Sequence, residues 1–334
     1  MKKALITGIT GQDGFYLAKY LLDLGYEVHG ITRRHGIARR AELEGAHNPS
    51  TQENLLGMHE RMTLHFVNFD NCIKLYQLLA STPFDECYHL AASSYVGERL
   101  SDGNDTIQNN ISTTHMLLKS MHELQPSCRV YFAGSSEMFG RPSTYPQSET
   151  TSLNPRSAYG ISKVAGYHIV RNYRESYGMF CGVGILYNHE SPRRSAEFVT
   201  RKITKAVARI KAGQQQTLEL GSLEARRDWG FAPDYVQTMH AILNHHQPDD
   251  FVVATGVLHS VGELCELAFS HAGLDWEKHV LVNSKFNRAE ADIPLVGCAK
   301  KINSATGWQP QTSFAEMVRI MVDADVKLYS GKPA

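Results

Sequence analysis

Lys3-Ala4-Leu5-Ile6-Thr7-Gly8-Ile9-Thr10-Gly11-Gln12-Asp13-Gly14 opens the chain, and the reading of this stretch decides the fold. Lys3–Thr7 is a short apolar run closed by glycine, which predicts a strand. Phe15–Gly25 follows with apolar residues at helical spacing and a glycine stop. The glycines between them do different work. Gly8 allows a tight turn, Gly11 lets the backbone approach a pyrophosphate, and Gly14 lets the helix pack close to the sheet. The pyrophosphate would rest on the helix N-terminus, where unpaired N–H groups and the helix dipole favour anions. A glycine-rich turn in some other α/β protein is the alternative. The strand before and the helix after favour a dinucleotide site.

Outward from this unit the rhythm repeats. Glu27–Thr32, Leu64–Asn68, Glu86–Ala91, Arg129–Ala133 and Cys181–Leu186 read as strands. Ile73–Ser81, Thr106–Glu123 and Ser157–Tyr177 read as helices between them. Such alternation implies a parallel sheet with helices on both faces. From residue 190 onward the rhythm breaks. Loops rich in Arg, Pro and Gly separate the helical patterns Val199–Ala212 and Ser313–Tyr329, with short strands at Thr217–Leu220 and Phe251–Ala254. A smaller substrate-binding lobe is expected there, covering residues 188–334, with segments crossing back to a first domain of residues 1–187. The polar stretch 33–60 is too long for an idle connection, so it is expected either to have a function or to be disordered.

Composition bounds the function. The 334 residues suffice for one large domain or two close ones. Lys plus Arg and Asp plus Glu both total 34, so no global field draws the protein to nucleic acid or to an anionic membrane. The first residues lack a signal-peptide core, and no apolar run reaches the roughly 18 residues of a membrane span. The six cysteines, at 72, 87, 128, 181, 265 and 298, are scattered and form no C-x-x-C pair. They are expected to be reduced thiols in a cytoplasmic protein, with no metal bound. His245-His246 reads as a solvated helix end.

The second predicted strand ends at Thr32-Arg33-Arg34. An NAD site would place Asp or Glu there for the ribose 2′-hydroxyl, whereas two guanidinium groups suit a 2′-phosphate, which points to NADP. Loop solvation by these arginines is the alternative. Asn68 is placed to contact the adenine. Ala91 would let the cofactor lie close, although apolar packing accounts for it equally well.

Ser135-Ser136-Glu137 follows the fifth strand, and Tyr159 and Lys163 lie one turn apart on the next helix. A lysine so placed can bind the nicotinamide ribose and lower the tyrosine pKa. The tyrosine can then take a proton from a sugar hydroxyl while hydride goes to the cofactor. Glu137 separates reaction types. Oxidation and epimerisation need only the Ser, Tyr and Lys, while elimination also needs a base beside the new carbonyl. A cap on the following turn is the structural alternative for Glu137.

With these residues in hand, the chain resembles the GDP-mannose 4,6-dehydratases. The resemblance rests on Ser135-Ser136-Glu137-Met138-Phe139-Gly140, Pro155-Arg156-Ser157-Ala158-Tyr159-Gly160 and Asn188-His189-Glu190-Ser191-Pro192-Arg193-Arg194. Phe198-Val199-Thr200-Arg201-Lys202-Ile203, Arg227-Asp228-Trp229-Gly230 and Ala254-Thr255-Gly256 add to it. It implies a Rossmann-type doubly wound parallel sheet with a smaller C-terminal α/β substrate domain. It also implies a lyase in which Tyr159 deprotonates the C4 hydroxyl, Ser135 bonds the same oxygen and Glu137 removes the C5 proton. Water then leaves C6, and the hydride lent to NADP returns there. By the same resemblance Gly8, Thr10, Gly11, Gln12, Asp13, Gly14, Arg33, Arg34, Asn68, Ala91, Tyr159, Lys163 and His189 hold the cofactor. Ser93, Asn188, Glu190, Arg193, Lys202, Gly221, Arg227 and Arg288 line the nucleotide sugar. A homodimer or homotetramer is expected. The competing readings are a dehydratase of GDP-heptose or another nucleotide sugar, a reductase or epimerase, and a non-catalytic regulator that binds NADP or a nucleotide sugar. Val67-Asn68 stands where the family has Gly-Asp, and Ala91-Ala92-Ser93 departs from its usual pattern.

Overall fold

The structure is a computed structural model and describes residues 1–32, 60–69, 72–93, 100–286 and 294–330, with the backbone alone for 100–102. The strands are β1 (Lys3–Thr7), β2 (Glu27–Thr32), β3 (Met62–Phe66), β4 (Glu86–His89), β5 (Arg129–Ser135), β6 (Cys181–Leu186), β7 (Asn188–Glu190), β8 (Leu218–Leu220), β9 (Arg226–Phe231), β10 (Asp250–Val253), β11 (Leu258–Ser260) and β12 (Val280–Val282). The helices are α1 (Gln12–Asp23), α2 (Cys72–Ser81), α3 (Leu100–Leu124), α4 (Ala158–Tyr177), α5 (Val199–Lys211), α6 (Ala232–Leu243), α7 (Val261–His271), α8 (Lys300–Thr306) and α9 (Phe314–Tyr329).

Seven strands form one parallel sheet in the order β10-β6-β5-β4-β1-β2-β3. Strand order reverses between β1 and β4, which opens a crevice at their carboxyl ends. Strands β4, β6 and β10 are buried along their whole length, as expected of a parallel sheet covered on both faces. One face packs against α2, α3 and α4 through Leu75, Leu117, Met121, Tyr167 and Val170. The other packs against α1, α6 and α8 through Leu17, Leu21, Tyr235, Met239 and Ile302. The C-terminal half thus returns to the first sheet with one strand and two helices.

The rest of that half builds its own core. Helices α5, α7 and α9 enclose Ile203, Val207, Leu264, Phe269, Met317 and Met321. A sheet of β11-β9-β7 lies beside this core, and β12 pairs with β8. Asp228 on β9, almost fully buried, accepts from the N–H groups of Thr255, Gly256 and Gly297 and from the Thr255 hydroxyl. It thereby binds three distant loop positions to one strand.

Several expectations shift in detail, the helix expected at Thr106–Glu123 beginning already at Leu100. The third strand lies two residues earlier than expected, because parallel pairing to β2 sets Val28 against Met62 and Thr32 against Phe66. Helix α1 begins at Gln12 instead of Phe15, directly after the turn. Residues 226–231, to which the sequence pattern assigns no strand, form the central strand of the smaller sheet.

Candidate active site

The described site residues gather at the carboxyl edge of the large sheet. After β1 the chain turns at Gly8, whose φ of +74° is a left-handed value that favours glycine. A Cβ there would fall 2.9 Å from the Ala91 nitrogen, so the ends of β1 and β4 meet backbone to backbone. A Cβ on Gly14 would fall 2.4 Å from the Gly8 oxygen, so the helix starts tight on the turn. Gly11 caps α1 with no side chain, and its N–H bonds the Gly8 carbonyl at 2.9 Å. The result is an open helix N-terminus with bare backbone at its mouth, a cradle that fits a pyrophosphate.

Asp13, in the first turn of α1, lies 2.9 Å from His189 Nε2, and His189 Nδ1 faces the Tyr187 carbonyl at 2.7 Å. Both ring nitrogens therefore face acceptors, which demands an imidazolium. Burial alone would push the two groups toward neutrality. The charge of each outweighs it for the other, so the Asp13 carboxyl is held below its ordinary value and His189 above. Gln12 extends the link, donating to the His189 carbonyl at 2.9 Å and accepting from the Ser191 hydroxyl at 2.7 Å. His189 stacks on Tyr235, with centroids 4.8 Å apart.

Ser135 is the last residue of β5, and a short 3-10 turn, Ser136–Met138, follows it. The Ser135 oxygen accepts from the Glu137 N–H at 3.3 Å, so the serine caps the turn that carries the glutamate. Helix α4 abuts this turn, since a Cβ on Gly160 would come 2.6 Å from the Glu137 carbonyl. Tyr159 precedes that contact. Lys163, one turn on, is buried, donates to the Ala133 carbonyl at 2.8 Å and stands 5.7 Å from the Tyr159 ring centre.

Burial, with the Glu137 charge adding, pushes Tyr159 up to about 12, while Ser135 and Arg194 pull the other way. Lys163 is itself brought down to about 8 by burial. A lowered tyrosine pKa therefore requires further positive charge in the site.

Other residues fall as follows. Thr10 lies in the turn after β1, Asn68 is exposed just beyond β3, and Ala91 and Ser93 follow β4. Asn188 begins β7, beside His189. Arg193 is buried with its guanidinium 3.6 Å from the Phe15 ring centre. Glu190 is 1% exposed, accepts from Thr200 at 2.5 Å and faces Arg194 at 3.2 Å. Lys202 donates to the Glu219 carbonyl at 2.7 Å and lies over Phe286 at 4.4 Å, with Gly221 just beyond β8. Arg227 is on β9. Arg33, Arg34 and Arg288 lie outside the described residues.

The sequence reading passed over three residues that the fold brings in. The charge of Arg194 acts on both Tyr159 and Asp13, and the Arg193-Arg194 doublet was its only signal. Asn110 on α3 accepts from the Ser93 N–H at 2.8 Å and donates to Ser162 at 2.9 Å. His89 is the third. Nothing in the sequence pointed to Asn110 or His89.

Residues 5–321 match the family model for GDP-mannose 4,6 dehydratase. The chain is 42% identical over 332 residues to GDP-mannose 4,6 dehydratase 1 of Arabidopsis thaliana, covering 98% of this chain and 90% of that one. It is 42% identical over 351 residues to GDP-mannose 4,6 dehydratase of Homo sapiens, covering 99% and 93%. A crystal structure of dTDP-glucose 4,6-dehydratase from Bacillus anthracis in complex with NAD superposes with a TM-score of 0.81 at 18% identity, covering 98% and 97%. At that identity the likeness shows the fold alone.

Proposed function

The chain belongs to the GDP-mannose 4,6-dehydratase family, and on that premise we propose that it converts GDP-mannose to GDP-4-keto-6-deoxymannose by net loss of water. The observation that carries this reading is the place of Glu137. Its carboxylate shares one turn with Ser135 and is close enough to Tyr159 to raise its pKa. An elimination needs this second base, while a simple oxidation or epimerisation does not.

The residues divide the work. Tyr159 takes the proton of the C4 oxygen, which stays a carbonyl in the product, and Ser135 hydrogen-bonds the same atom; the proton that comes back goes to C5, where it balances the hydride returned to C6. Glu137 takes the proton from C5 as water leaves C6. Lys163 positions the nicotinamide ribose. Gly8, Gly11 and Gly14 present bare backbone and an uncapped helix to the cofactor pyrophosphate, and Arg33 and Arg34 select the 2′-phosphate of NADP. NADP, when bound, accepts hydride and gives it back, so no external reductant is consumed. Asn188, Arg193, Lys202, Arg227 and Arg288 hold the nucleotide sugar, the arginines pairing with its diphosphate.

Residues 1–187 are assigned to the cofactor-binding domain and 188–334 to the substrate domain, apart from the segments Ala232–Leu243, Asp250–Val253 and Lys300–Thr306, which return to the first sheet. The protein is placed in the cytoplasm as a homodimer or homotetramer. All six cysteines are free thiols, as expected in a reducing compartment, and no helix among the described residues is long and apolar enough to cross a membrane.

Mass spectrometry of GDP-mannose incubated with the purified protein, without added reductant, tests the reading. Loss of one water, in a product reducible by borohydride, is expected. Water loss only from GDP-heptose or another nucleotide sugar would keep the mechanism and replace the substrate. No change across such a panel would reject a lyase.

A further inference from the structure

We propose that His89 is a positioning residue for this reaction: held as a neutral imidazole protonated on Nε2, it ties the cofactor turn to the helix that carries Tyr159. The proposal rests on the dehydratase reading for its kinetic part.

His89 ends β4 and is almost fully buried. Its Nδ1 lies 2.8 Å from the Thr7 hydroxyl and its Nε2 3.1 Å from the Thr114 hydroxyl. A hydroxyl can give or accept, so its other partners set the direction. The Ala91 N–H donates to Thr7 at 3.1 Å, which leaves the Thr7 hydrogen for Nδ1. Thr114 donates to the Asn110 carbonyl at 2.7 Å, so its oxygen accepts from Nε2–H. Only one tautomer satisfies every atom.

The path continues at both ends. Ala91 is the residue against which Gly8 packs, and Thr7 immediately precedes that glycine. At the other end the Asn110 side chain bonds the Ser93 N–H and Ser162, and Ser162 donates to the Tyr159 carbonyl at 2.8 Å. Two runs of hydrogen bonds, one ending on the Asn110 carbonyl and the other starting from the Asn110 side chain, therefore meet at this residue and join the cofactor turn, the loop after β4 and the first turn of α4. Charge agrees with the tautomer. Burial, with the Lys163 ammonium adding, holds the imidazole down at about 3. A protonated ring would strand the Thr7 hydrogen and face the lysine.

Two substitutions separate the arms. The amide of Asn reaches the place of Nδ1, and that of Gln the place of Nε2. His89→Asn keeps the link to Thr7 and breaks the one to Thr114, while His89→Gln does the reverse. NADP dissociation constants by fluorescence titration, with kcat and KM for GDP-mannose, give the readout. His89→Gln is expected to weaken NADP binding on the order of tenfold, and His89→Asn to lower kcat on the order of tenfold with KM and NADP affinity within about twofold. Equal changes in both variants that follow their loss of Tm would mean that His89 only fills the core, and would overturn the proposal.

If either variant fails to fold, nitrogen-15 NMR of the wild-type protein decides. The Nε2–H tautomer, unchanged between about pH 5 and pH 9, is expected; an Nδ1–H tautomer or a titration in that range overturns it. Wild-type protein inert toward GDP-mannose would defeat the substrate reading and leave the NADP titration and the NMR signal to judge His89.

Discussion

At the residue scale, Tyr159, Lys163 and the Asp13–His189 pair carry distinct expectations. Tyr159→Phe should lower kcat by about 10²- to 10⁴-fold while Tm changes little, since the lost hydroxyl is a proton carrier and not a core contact. Lys163 is brought from 10.5 to about 8 by burial, so the folded chain holds its proton less tightly than the unfolded one. That destabilisation is present below about pH 8 and is relieved as pH rises toward the unfolded value. Lys163→Met should therefore abolish turnover and yet raise stability at neutral pH by at most about 3 kcal/mol, with the gain shrinking in alkaline denaturant titrations. The Asp13–His189 pair behaves oppositely. The depressed Asp13 contributes stability present above the ordinary carboxylate range and lost as pH falls through its folded value. The raised His189 contributes stability fully present below its ordinary value of 6.5 and lost as pH rises through its folded value. Wild-type Tm should peak in the mildly acidic range between these limits, and His189→Gln should flatten the profile.

At the element scale, close backbone approach decides the site. Gly160→Ala would place a methyl 2.6 Å from the Glu137 carbonyl, forcing α4 away from the turn that bears Ser135 and Glu137. A drop in kcat of at least about tenfold, with NADP affinity nearly kept, is expected from kinetics and cofactor titration. Gly14→Ala would press on the Gly8 oxygen and Ile9 and should instead abolish NADP binding and lower Tm. The elements that local pattern predicts best are short strands of the central parallel sheet. Lys3–Thr7, Glu27–Thr32 and Cys181–Leu186 stand at the limits expected of them. The edge strand β3 slipped by two residues because its register comes from β2, not from its own alternation. Strand β9 was illegible because Arg226-Arg227-Asp228 looks solvated until β7 and β11 flank it.

At the scale of the whole molecule, the cofactor half and the C-terminal half are joined by return segments and by side-chain bridges such as Gln12 to His189 and Asp13 to His189. NADP at one hundred times its dissociation constant should raise unfolding free energy by about 2.7 kcal/mol if only the folded chain binds it, a shift readable by thermal denaturation. The sequence by itself determined the glycine turn, the alternation that makes a parallel sheet, the Ser135, Glu137, Tyr159 and Lys163 set and the family, because each is written in local spacing or short motifs. The tertiary structure alone decided that Glu190 faces Arg194, that both ring nitrogens of His189 face acceptors, one of them Asp13, and that burial pushes the Tyr159 pKa up. It alone joined His89 to Thr7 and Thr114, and Asn110 to Ser93 and Ser162. Partners, burial and hydrogen-bond direction depend on residues far apart in the chain, and no local pattern encodes them.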